Sequence, residues 1–322
     1  MNAPGVLDGS ASIAGGIRLG CPRCGAGIDA SGSPDCRSCG FQLGVKNGIV
    51  QALPAESQAR LGGFIREYER VREAEHRGGE YADFYLGLPY RGGASRDPRQ
   101  WHIRARSHEY VLRRLLPRTA RRPGRVLDLG AGNCWLSHRL ALQGYRPFAV
   151  DLVTNDSDGL GAAHHYQTRL PALFPRFQAS FDQLPFADAQ FDAAIFNASF
   201  HYSADGEATL REALRCLKPG GLAIISDTPW YPREKDGRRM LAERGEAFLR
   251  RHGSTGSTMP MLGYLTDARL AELAGALSIR WEIHRPWYGL AWALRPLMAR
   301  LSGRRVPSRF RLYVAAREGV LR

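Results

Sequence analysis

Two glycines and one aspartate in the stretch 125–151 have the types and spacing of a nucleoside-binding site. Gly130 and Gly132 form a tight turn after an apolar segment, and a side chain at either position would keep a ligand away from the backbone. Asp151 follows about twenty positions later, and a carboxylate can accept hydrogen bonds from both hydroxyls of a ribose. The pattern therefore predicts that this stretch binds a nucleoside.

The same turn argues against a dinucleotide site. The dinucleotide fingerprint G-x-G-x-x-G requires a third glycine, which allows the helix to pack closely on the strand beneath a pyrophosphate. The residue at that position is Trp135, whose side chain is too large for such packing. A nicotinamide dinucleotide is therefore disfavoured as the ligand.

A second constellation consists of paired thiols. Four of the six cysteines form two C-x-x-C pairs separated by eleven residues: Cys21, Cys24, Cys36 and Cys39. Each pair is followed by a glycine, Gly25 or Gly40, so that two tight turns can direct four thiolates at one tetrahedral centre. The spacing predicts a structural zinc site, in preference to a disulfide or a redox pair. We interpret Cys134 and Cys216 as small apolar packing residues.

The elements that must position these residues form a βαβ unit. Alternation and turn residues predict a strand at Val126 and Leu127, a helix from Asn133 to Gln143, and a strand from Arg146 to Val150. A later strand, Phe191 to Phe196, ends just before His201 and Tyr202, at the edge where open α/β sheets bind ligands. These two residues are candidates for accepting a proton from a substrate, although a structural role for both is the simpler interpretation.

Three further motifs extend the pattern: Asp128 before the glycine turn, LPFADAQFD at 184–192 and LKPGG at 217–221. With the turn and Asp151, they resemble the class I S-adenosylmethionine (SAM) methyltransferases, and within these most closely the branch that includes quinone-biosynthesis enzymes. The resemblance covers about Arg104 to Asp227. It implies an α/β fold with a Rossmann-like sheet of seven strands and helices on both faces, SAM as cofactor, and an enzyme that transfers methyl groups.

The resemblance also implies a set of cofactor-binding residues. These are Asp128, Gly130, Ala131, Gly132, Asn133, Asp151, Leu152, Phe181, Asp182 and Asn197. Asp128 is expected either to fix the glycine turn or to contact the methionine ammonium of SAM. Ser180 stands where related enzymes usually have an acidic residue at the adenine, so the contact would come from Asp182 or from Phe181 and the backbone.

We divide the chain into a flexible amino terminus (1–19), a zinc ribbon (20–53), a helical and aromatic connecting region (54–120) and a methyltransferase domain (121–322). The ribbon resembles the amino-terminal zinc module of bacterial rRNA guanine-N1 methyltransferases and the small zinc-ribbon activators of tRNA-modifying enzymes. In the connecting region, a helix from Ala55 to His76 is predicted to pack on the main domain. The aromatic segment from Tyr81 to Tyr90 either closes over the cofactor or joins the ribbon to the core.

Other segments carry weaker predictions. The arginines of a helix from His102 to Leu116, Arg104 among them, are expected on a solvated face. Trp230 and Tyr231 are expected over the pocket, with a helix from about Glu234 to Arg251 as a lid. The segment 286–309 is predicted to be a crossover helix that covers the sheet, with a basic end; membrane-surface or phosphate binding is the alternative.

Composition limits the functional classes. The formal charge of +14 over 322 residues suits polyanionic partners, but an arginine-rich composition alone produces the same balance. No stretch has the pattern of a signal peptide or a membrane span, so we expect a cytoplasmic protein.

The leading hypothesis is a SAM-dependent methyltransferase with a small-molecule or lipid-like acceptor. The alternatives are an RNA base methyltransferase that uses the ribbon to contact RNA, and a non-catalytic SAM-binding scaffold.

Overall fold

A computed structural model describes residues 16–29, 34–75, 78–79, 81–90, 98–119, 121–253 and 260–318. Residues 1–15 of the predicted flexible terminus lie outside the described residues, whereas Ile17 and Leu19 of the same predicted segment are buried. The strands are β1 (Leu19–Gly20), β2 (Gly27–Ile28), β3 (Gly44–Lys46), β4 (Ile49–Gln51), β5 (Arg125–Leu129), β6 (Arg146–Asp151), β7 (Arg176–Gln178), β8 (Phe191–Asn197), β9 (Leu217–Ser226), β10 (Glu282–His284) and β11 (Leu312–Ala316).

One mostly parallel sheet organises the molecule. Its strand order is β10-β11-β9-β8-β5-β6-β7-β4-β3, and the strands from β7 to β9 through β5 run parallel. The last strand, β11, pairs antiparallel with both β9 and β10. The Rossmann-like α/β fold that the sequence predicts is thus confirmed, with the loops that follow the central strands meeting at one edge of the sheet.

The sheet has two strands more than the seven expected. β4 pairs parallel with β7, placing Val50 beside Phe177, and β3 pairs antiparallel with β4. Both added strands come from the segment that the sequence assigns to the zinc ribbon. The apolar residues Ile49 and Val50 are buried there, because the edge of the larger sheet offers both hydrogen-bond partners and an apolar surface.

Helices cover both faces of the sheet. They are α1 (Ala55–Ala74), α2 (Ala82–Gly87), α3 (Pro98–Tyr110), α4 (Trp135–Leu142), α5 (Gly206–Cys216), α6 (Glu234–His252), α7 (Asp267–Leu277) and α8 (Leu290–Leu301). A π-helical turn, Val111–Leu115, continues α3, and 3₁₀ helices span Leu160–Arg169 and Phe200–Tyr202.

The central strands are apolar on both sides, as parallel strands covered by helices must be. Within β5, Val126 belongs to the core cluster on one face, and Leu127 belongs to the cluster on the opposite face. Both side chains are fully buried. This alternation holds the glycine turn rigidly at the carboxyl end of the strand, which is where the predicted site lies.

The prediction for the segment 286–309 also differs from the structure. Helix α8 does not cover the sheet, because none of its residues is buried. After β7, residues 179–182 form a loop. Within the described part of the chain, no helix combines the length and the apolar character needed to cross a bilayer.

Candidate functional site

A cavity of about 550 Å³ opens at the carboxyl ends of the central strands. Nine of the ten predicted cofactor residues line it: Gly130, Ala131, Gly132, Asn133, Asp151, Leu152, Phe181, Asp182 and Asn197. The structure therefore brings together residues from the loops after β5, β6, β7 and β8 at one place. Their role in binding a cofactor stays a prediction.

The glycine turn has a backbone that other residues would not adopt without strain. Gly130 has φ of 77° and Gly132 has φ of 51°, both in the left-handed region. A Cβ atom on Gly130 would lie 2.3 Å from the Cβ of Ser199 and 3.1 Å from the ring of Phe181. The backbone N–H groups of Gly130 and Ala131 both donate to the carbonyl of Val150, at 2.9 and 3.1 Å. The turn is thus fixed by the neighbouring strand.

Asp151 lies directly beside this turn. Its Oδ2 accepts a hydrogen bond from the backbone N–H of Gly132 at 2.8 Å, and its Oδ1 accepts one from Val153 at 2.9 Å. Burial raises the pKa of the carboxyl to about 6, although these two hydrogen bonds act in the opposite direction. A carboxylate has about four acceptor positions, so two remain for ligand hydroxyls.

Asp128 is the one predicted cofactor residue that does not line the cavity. Only 1% of its surface is exposed, and its Oδ2 accepts hydrogen bonds from the N–H and the hydroxyl of Ser137, at 3.1 and 2.7 Å. Burial raises the pKa of this carboxyl to about 7. Of the two roles expected for Asp128, these contacts fit a structural one, which fastens β5 to the first turn of α4.

The loop after β7 offers three candidates for an adenine contact, since Ser180, Phe181 and Asp182 all line the cavity. The Ser180 hydroxyl donates to Asp182, whose carboxylate also lies 3.5 Å from the guanidinium of Arg60 on α1. Phe181 packs edge-on against Phe196 of β8 at 5.7 Å between ring centres. Asp182 is therefore held at the cavity rim by contacts from two different elements.

The two candidate catalytic residues occupy different positions. Tyr202 lines the cavity, whereas His201 does not. Burial, together with the nearby Arg244, Arg72 and Arg104, lowers the pKa of His201 to about 3. Its Nδ1 is buried and has no hydrogen-bond partner among the described residues. A neutral imidazole of such low basicity, placed outside the cavity, is unsuited to accept a proton from a bound substrate.

Several cavity residues were not among the predicted site residues, and three of them carry charge or a hydroxyl: Tyr68, Arg72 and Arg104. Tyr68 and Arg72 of α1 line the cavity, and the guanidinium of Arg72 lies 4.6 Å from the centre of the Tyr68 ring. Arg72 also pairs with Asp158 at 3.3 Å, which joins α1 to the loop after β6. Arg104, which was predicted to lie on a solvated face, lines the cavity instead. That prediction was wrong because helical periodicity does not show which face meets a cavity.

Trp230 and Tyr231, which were predicted to lie over the pocket, do not line it. Trp230 and Tyr231 are 3% and 2% exposed and belong to the packed interior rather than the cavity wall. Arg251, near the end of α6, does line the cavity. From the aromatic segment, Phe84 lines the cavity, whereas Tyr85 is fully buried and its hydroxyl donates to Ser157 at 2.8 Å.

The four paired cysteines converge in the folded chain. The ligand atoms of Cys21, Cys24, Cys36 and Cys39 all lie within 4.8 Å of one another. The closest sulfur pairs are Cys21 with Cys39 at 3.6 Å and Cys24 with Cys36 at 3.5 Å. Zinc–sulfur bonds of about 2.3 Å in a tetrahedron require sulfur separations of roughly 3.8 Å. The arrangement therefore fits a tetrahedral zinc ion.

Both knuckles have the backbone that such a site needs. The glycines that follow the pairs, Gly25 and Gly40, have φ of 78° and 71°. Their N–H groups donate to the carbonyls of Cys21 and Cys36, each at 2.8 Å, and so close two equivalent turns. The pseudosymmetry of these turns presents two thiols from each side to one centre.

Comparison with known proteins agrees with this geometry. Residues 127–225 match the protein family described as a methyltransferase domain. The chain is similar to demethylmenaquinone methyltransferase of Beutenbergia cavernae, with 36% identity over 117 residues, covering 35% of this chain and 46% of that protein. It is also similar to dimethylglycine N-methyltransferase of Parasynechococcus marenigrum, with 33% identity over 122 residues, covering 36% and 40%. The chain thus spans less than half the length of these relatives.

Two solved structures share the fold. One belongs to the complex between the Haloferax volcanii Trm112 methyltransferase activator and a methyltransferase, with 18% identity, a TM-score of 0.50, and coverage of 80% of this chain and 99% of that chain. The other is a sarcosine dimethylglycine methyltransferase from Galdieria sulphuraria, with 16% identity, a TM-score of 0.50, and coverage of 66% and 86%. The central strands and the cavity at their carboxyl edge thus lie in and around residues 127–225, the segment that matches the methyltransferase domain family, and the fold is Rossmann-like α/β.

Proposed function

We propose that this protein is a SAM-dependent methyltransferase whose cofactor binds in the cavity beside Asp151. The observation that carries the proposal is the juxtaposition of the Asp151 carboxylate and the Gly130–Gly132 turn at the wall of one cavity, within a segment that matches the methyltransferase domain family. The bare backbone of the turn admits a ligand, and the carboxylate has acceptor positions left for two vicinal hydroxyls.

In this proposal, different cavity residues contact different parts of SAM. Asp151 accepts hydrogen bonds from the ribose hydroxyls, Gly130 and Gly132 border the methionine portion, and Phe181 with Asp182 borders the adenine. SAM supplies a methyl group on a positively charged sulfur, which is already activated for transfer to a nucleophile. The protein then has to align the acceptor and exclude water, which needs little acid or base catalysis. Tyr202, which lines the cavity, is the remaining candidate for receiving a proton.

The rest of the cavity supports a small-molecule or lipid-like acceptor. Seven of the side chains that line it are aromatic: Phe64, Tyr68, Phe84, Trp101, Trp135, Phe181 and Tyr202. Such walls suit a flat or apolar molecule. Arg104 and Arg251 add positive charge at the same wall. The similar proteins are named for demethylmenaquinone and dimethylglycine, which favours a small acceptor over an RNA base or a scaffold without catalysis. Membership of the quinone-biosynthesis branch stays a prediction.

The zinc ribbon has a supporting role in this proposal. Gly20 donates to Pro185 at 3.2 Å, and the N–H of Ala187 donates to Arg18 at 3.1 Å, so the ribbon strand runs beside the loop that follows Asp182. The Ser57 hydroxyl, at the start of α1, donates to Gln183 of the same loop at 2.6 Å. A zinc ion held by the four cysteines would fix the ribbon, and through it the loop at the adenine side of the cavity.

The test is incubation of the purified protein with isotopically labelled SAM and cell extract, followed by separation into RNA, protein, lipid and small-molecule fractions. The proposal predicts label in the small-molecule or lipid fraction, and none there when Asp151→Ala protein is used. Label in RNA alone would replace the proposed acceptor class while leaving the methyltransferase activity intact. Absence of label from every fraction, combined with an absence of SAM binding, would contradict the activity itself.

A further inference from the structure

Helix α8 and the turn before it expose a continuous set of large apolar side chains. The set, here named the apolar stripe, consists of Trp287, Leu290, Leu294, Leu297, Met298 and Leu301. Their exposed fractions range from 43% for Leu294 to 74% for Leu301. The leucines and the methionine recur at i, i+4, i+7, i+8 and i+11, so they occupy an arc of about 100° on one side of the helix.

The opposite side of α8 is fixed to the protein. Trp292 stacks on Phe310 at 5.3 Å, and the guanidinium of Arg295 lies 3.9 Å from the Trp292 ring centre. Tyr288, just before the helix, is buried, and its hydroxyl lies 2.9 Å from that of Ser107. These contacts hold the side of the helix that bears Trp292 against the protein, so the apolar stripe lies on the outer side of α8.

The charged residues that flank the stripe in the sequence are all positive, and two of them are paired in the fold, Arg305 with Glu243 at 2.8 Å and Arg311 with Asp267 at 3.3 Å. Between positions 285 and 311 the chain has seven arginines and no aspartate or glutamate. Four of these arginines are exposed: Arg285, Arg300, Arg304 and Arg309. An exposed apolar arc flanked by arginines and a tryptophan matches the requirements of a helix that lies in the interface of an anionic membrane.

From this arrangement we propose that α8 is an interfacial helix, which docks the protein on an anionic lipid surface with the apolar stripe inserted between head groups. Two other occupants fit less well. A second copy in a two-fold contact would bring equivalent arginines together and repel. RNA would pair with the arginines but leave five aliphatic side chains without a role, since nucleic acids are bound through charge, polar groups and aromatic stacking.

The docking helix is also connected to the cavity. The Ser107 hydroxyl that meets Tyr288 donates to Asp227 at 2.5 Å, and Asn197, which lines the cavity, donates to the same aspartate at 3.3 Å. A chain of hydrogen bonds thus runs from Tyr288, just before α8, to Asn197 in the cavity wall. Docking through the stripe is independent of whether the cavity binds SAM, so it is tested by itself.

The experiment is co-sedimentation of the full chain with vesicles of phosphatidylcholine containing phosphatidylglycerol, with pure phosphatidylcholine vesicles alongside. Wild-type protein is expected to bind the anionic vesicles, and more weakly as salt is raised. The pair Leu294→Glu and Leu297→Glu should lower the partition coefficient more than about tenfold. The pair Arg300→Gln and Arg304→Gln should lower it by roughly tenfold and flatten the salt dependence.

The matched control is Leu142→Glu, which changes a leucine on α4 that is 45% exposed and outside the stripe. It should bind vesicles like the wild type. Thermal denaturation of each variant separates lost docking from lost folding. The proposal is overturned if wild-type protein ignores anionic vesicles or if the stripe variant still binds them. It is equally overturned if light scattering without lipid shows a dimer that the stripe variant dissociates.

Discussion

The backbone N–H of Gly132 donates a 2.8 Å hydrogen bond to the carboxylate of Asp151. Gly132 lies in the turn that follows β5, and Asp151 is the last residue of the neighbouring parallel strand β6, so the bond joins the glycine turn to the acidic group across the carboxyl edge of the sheet. Because the bond occupies one acceptor position and leaves others, the same carboxylate can support the turn and receive ligand hydroxyls.

The glycine turn should not tolerate a side chain. Gly130→Ala would place a Cβ 2.3 Å from that of Ser199 and would force alanine into a left-handed backbone at φ of 77°. We expect SAM affinity to fall at least about tenfold and the free energy of unfolding to fall by roughly 1–3 kcal/mol. Isothermal titration calorimetry and chemical denaturation measure the two effects.

A glycine in a helix interior provides the control for that substitution. Nothing lies within 4 Å of a Cβ built on Gly245 of α6, and its backbone is helical. Gly245→Ala should therefore stabilise the protein by about 0.5–1 kcal/mol without changing SAM affinity. Equal behaviour of the two variants would argue against a special role for the turn.

SAM affinity should depend on pH through Asp151. Burial raises the pKa of this carboxyl from 3.8 to about 6. Since only the ionised form accepts hydrogen bonds from both hydroxyls, affinity should fall up to tenfold per pH unit below this value. In Asp151→Asn protein, weak binding should vary little over the same range. A flat profile for the wild type would show that the ionised carboxylate is not required.

The raised pKa of Asp151 should affect stability in the opposite direction, so that its contribution to the free energy of unfolding is larger at low pH. An acid whose pKa is higher in the folded state than in the unfolded chain binds its proton more tightly when folded. Asp151 therefore contributes most to the free energy of unfolding below pH 3.8, and that contribution declines until the pH passes about 6. Denaturation of wild type and Asp151→Asn protein across this window isolates the contribution, because the variant has no carboxyl to titrate there. A difference that grows as the pH rises in favour of the wild type would contradict the assigned shift.

Removal of the metal should weaken SAM binding, although the metal would not contact the cofactor. The ribbon borders the loop at 183–187, which follows the proposed adenine residues. Treatment with a zinc chelator, or Cys24→Ser, should abolish stoichiometric zinc in elemental analysis and lower SAM affinity by roughly tenfold. Ser38→Ala, an exposed change in the second knuckle, should alter neither quantity. Full SAM affinity in zinc-free protein would refute the coupling.

The glycine turn and Asp151 could be predicted as site residues because they are close together in the chain. The glycine turn and Asp151 belong to one βαβ unit, whose strand and helix periods fix where the turn and the second strand's end must meet. The four cysteines were found for a similar reason, since two short knuckles of fixed spacing can be read locally. Local patterns of this kind therefore predicted the central sheet and most of the cavity floor.

The other wall of the cavity depends on contacts that the sequence does not encode locally. Tyr68 and Arg72 come from a helix that precedes the sheet, and nothing in its periodicity shows that it docks over the loop containing Asp158. Arg104 was assigned to solvent because charged residues usually occupy that face. Likewise, the pattern of α8 predicted a helix but not that its apolar side stays exposed. In each case, tertiary docking rather than local propensity decided the outcome.

The most direct test of the central claim is calorimetric titration of the protein with S-adenosylhomocysteine, the demethylated cofactor, for wild type, Asp151→Asn and the control Asp188→Asn. Asp188 is an exposed acidic residue that pairs with Arg215 and does not line the cavity. We predict one site per chain, an affinity loss of at least about tenfold for Asp151→Asn, and no change for Asp188→Asn. An absence of binding by the wild type, or equal affinity in all three proteins, would contradict the account.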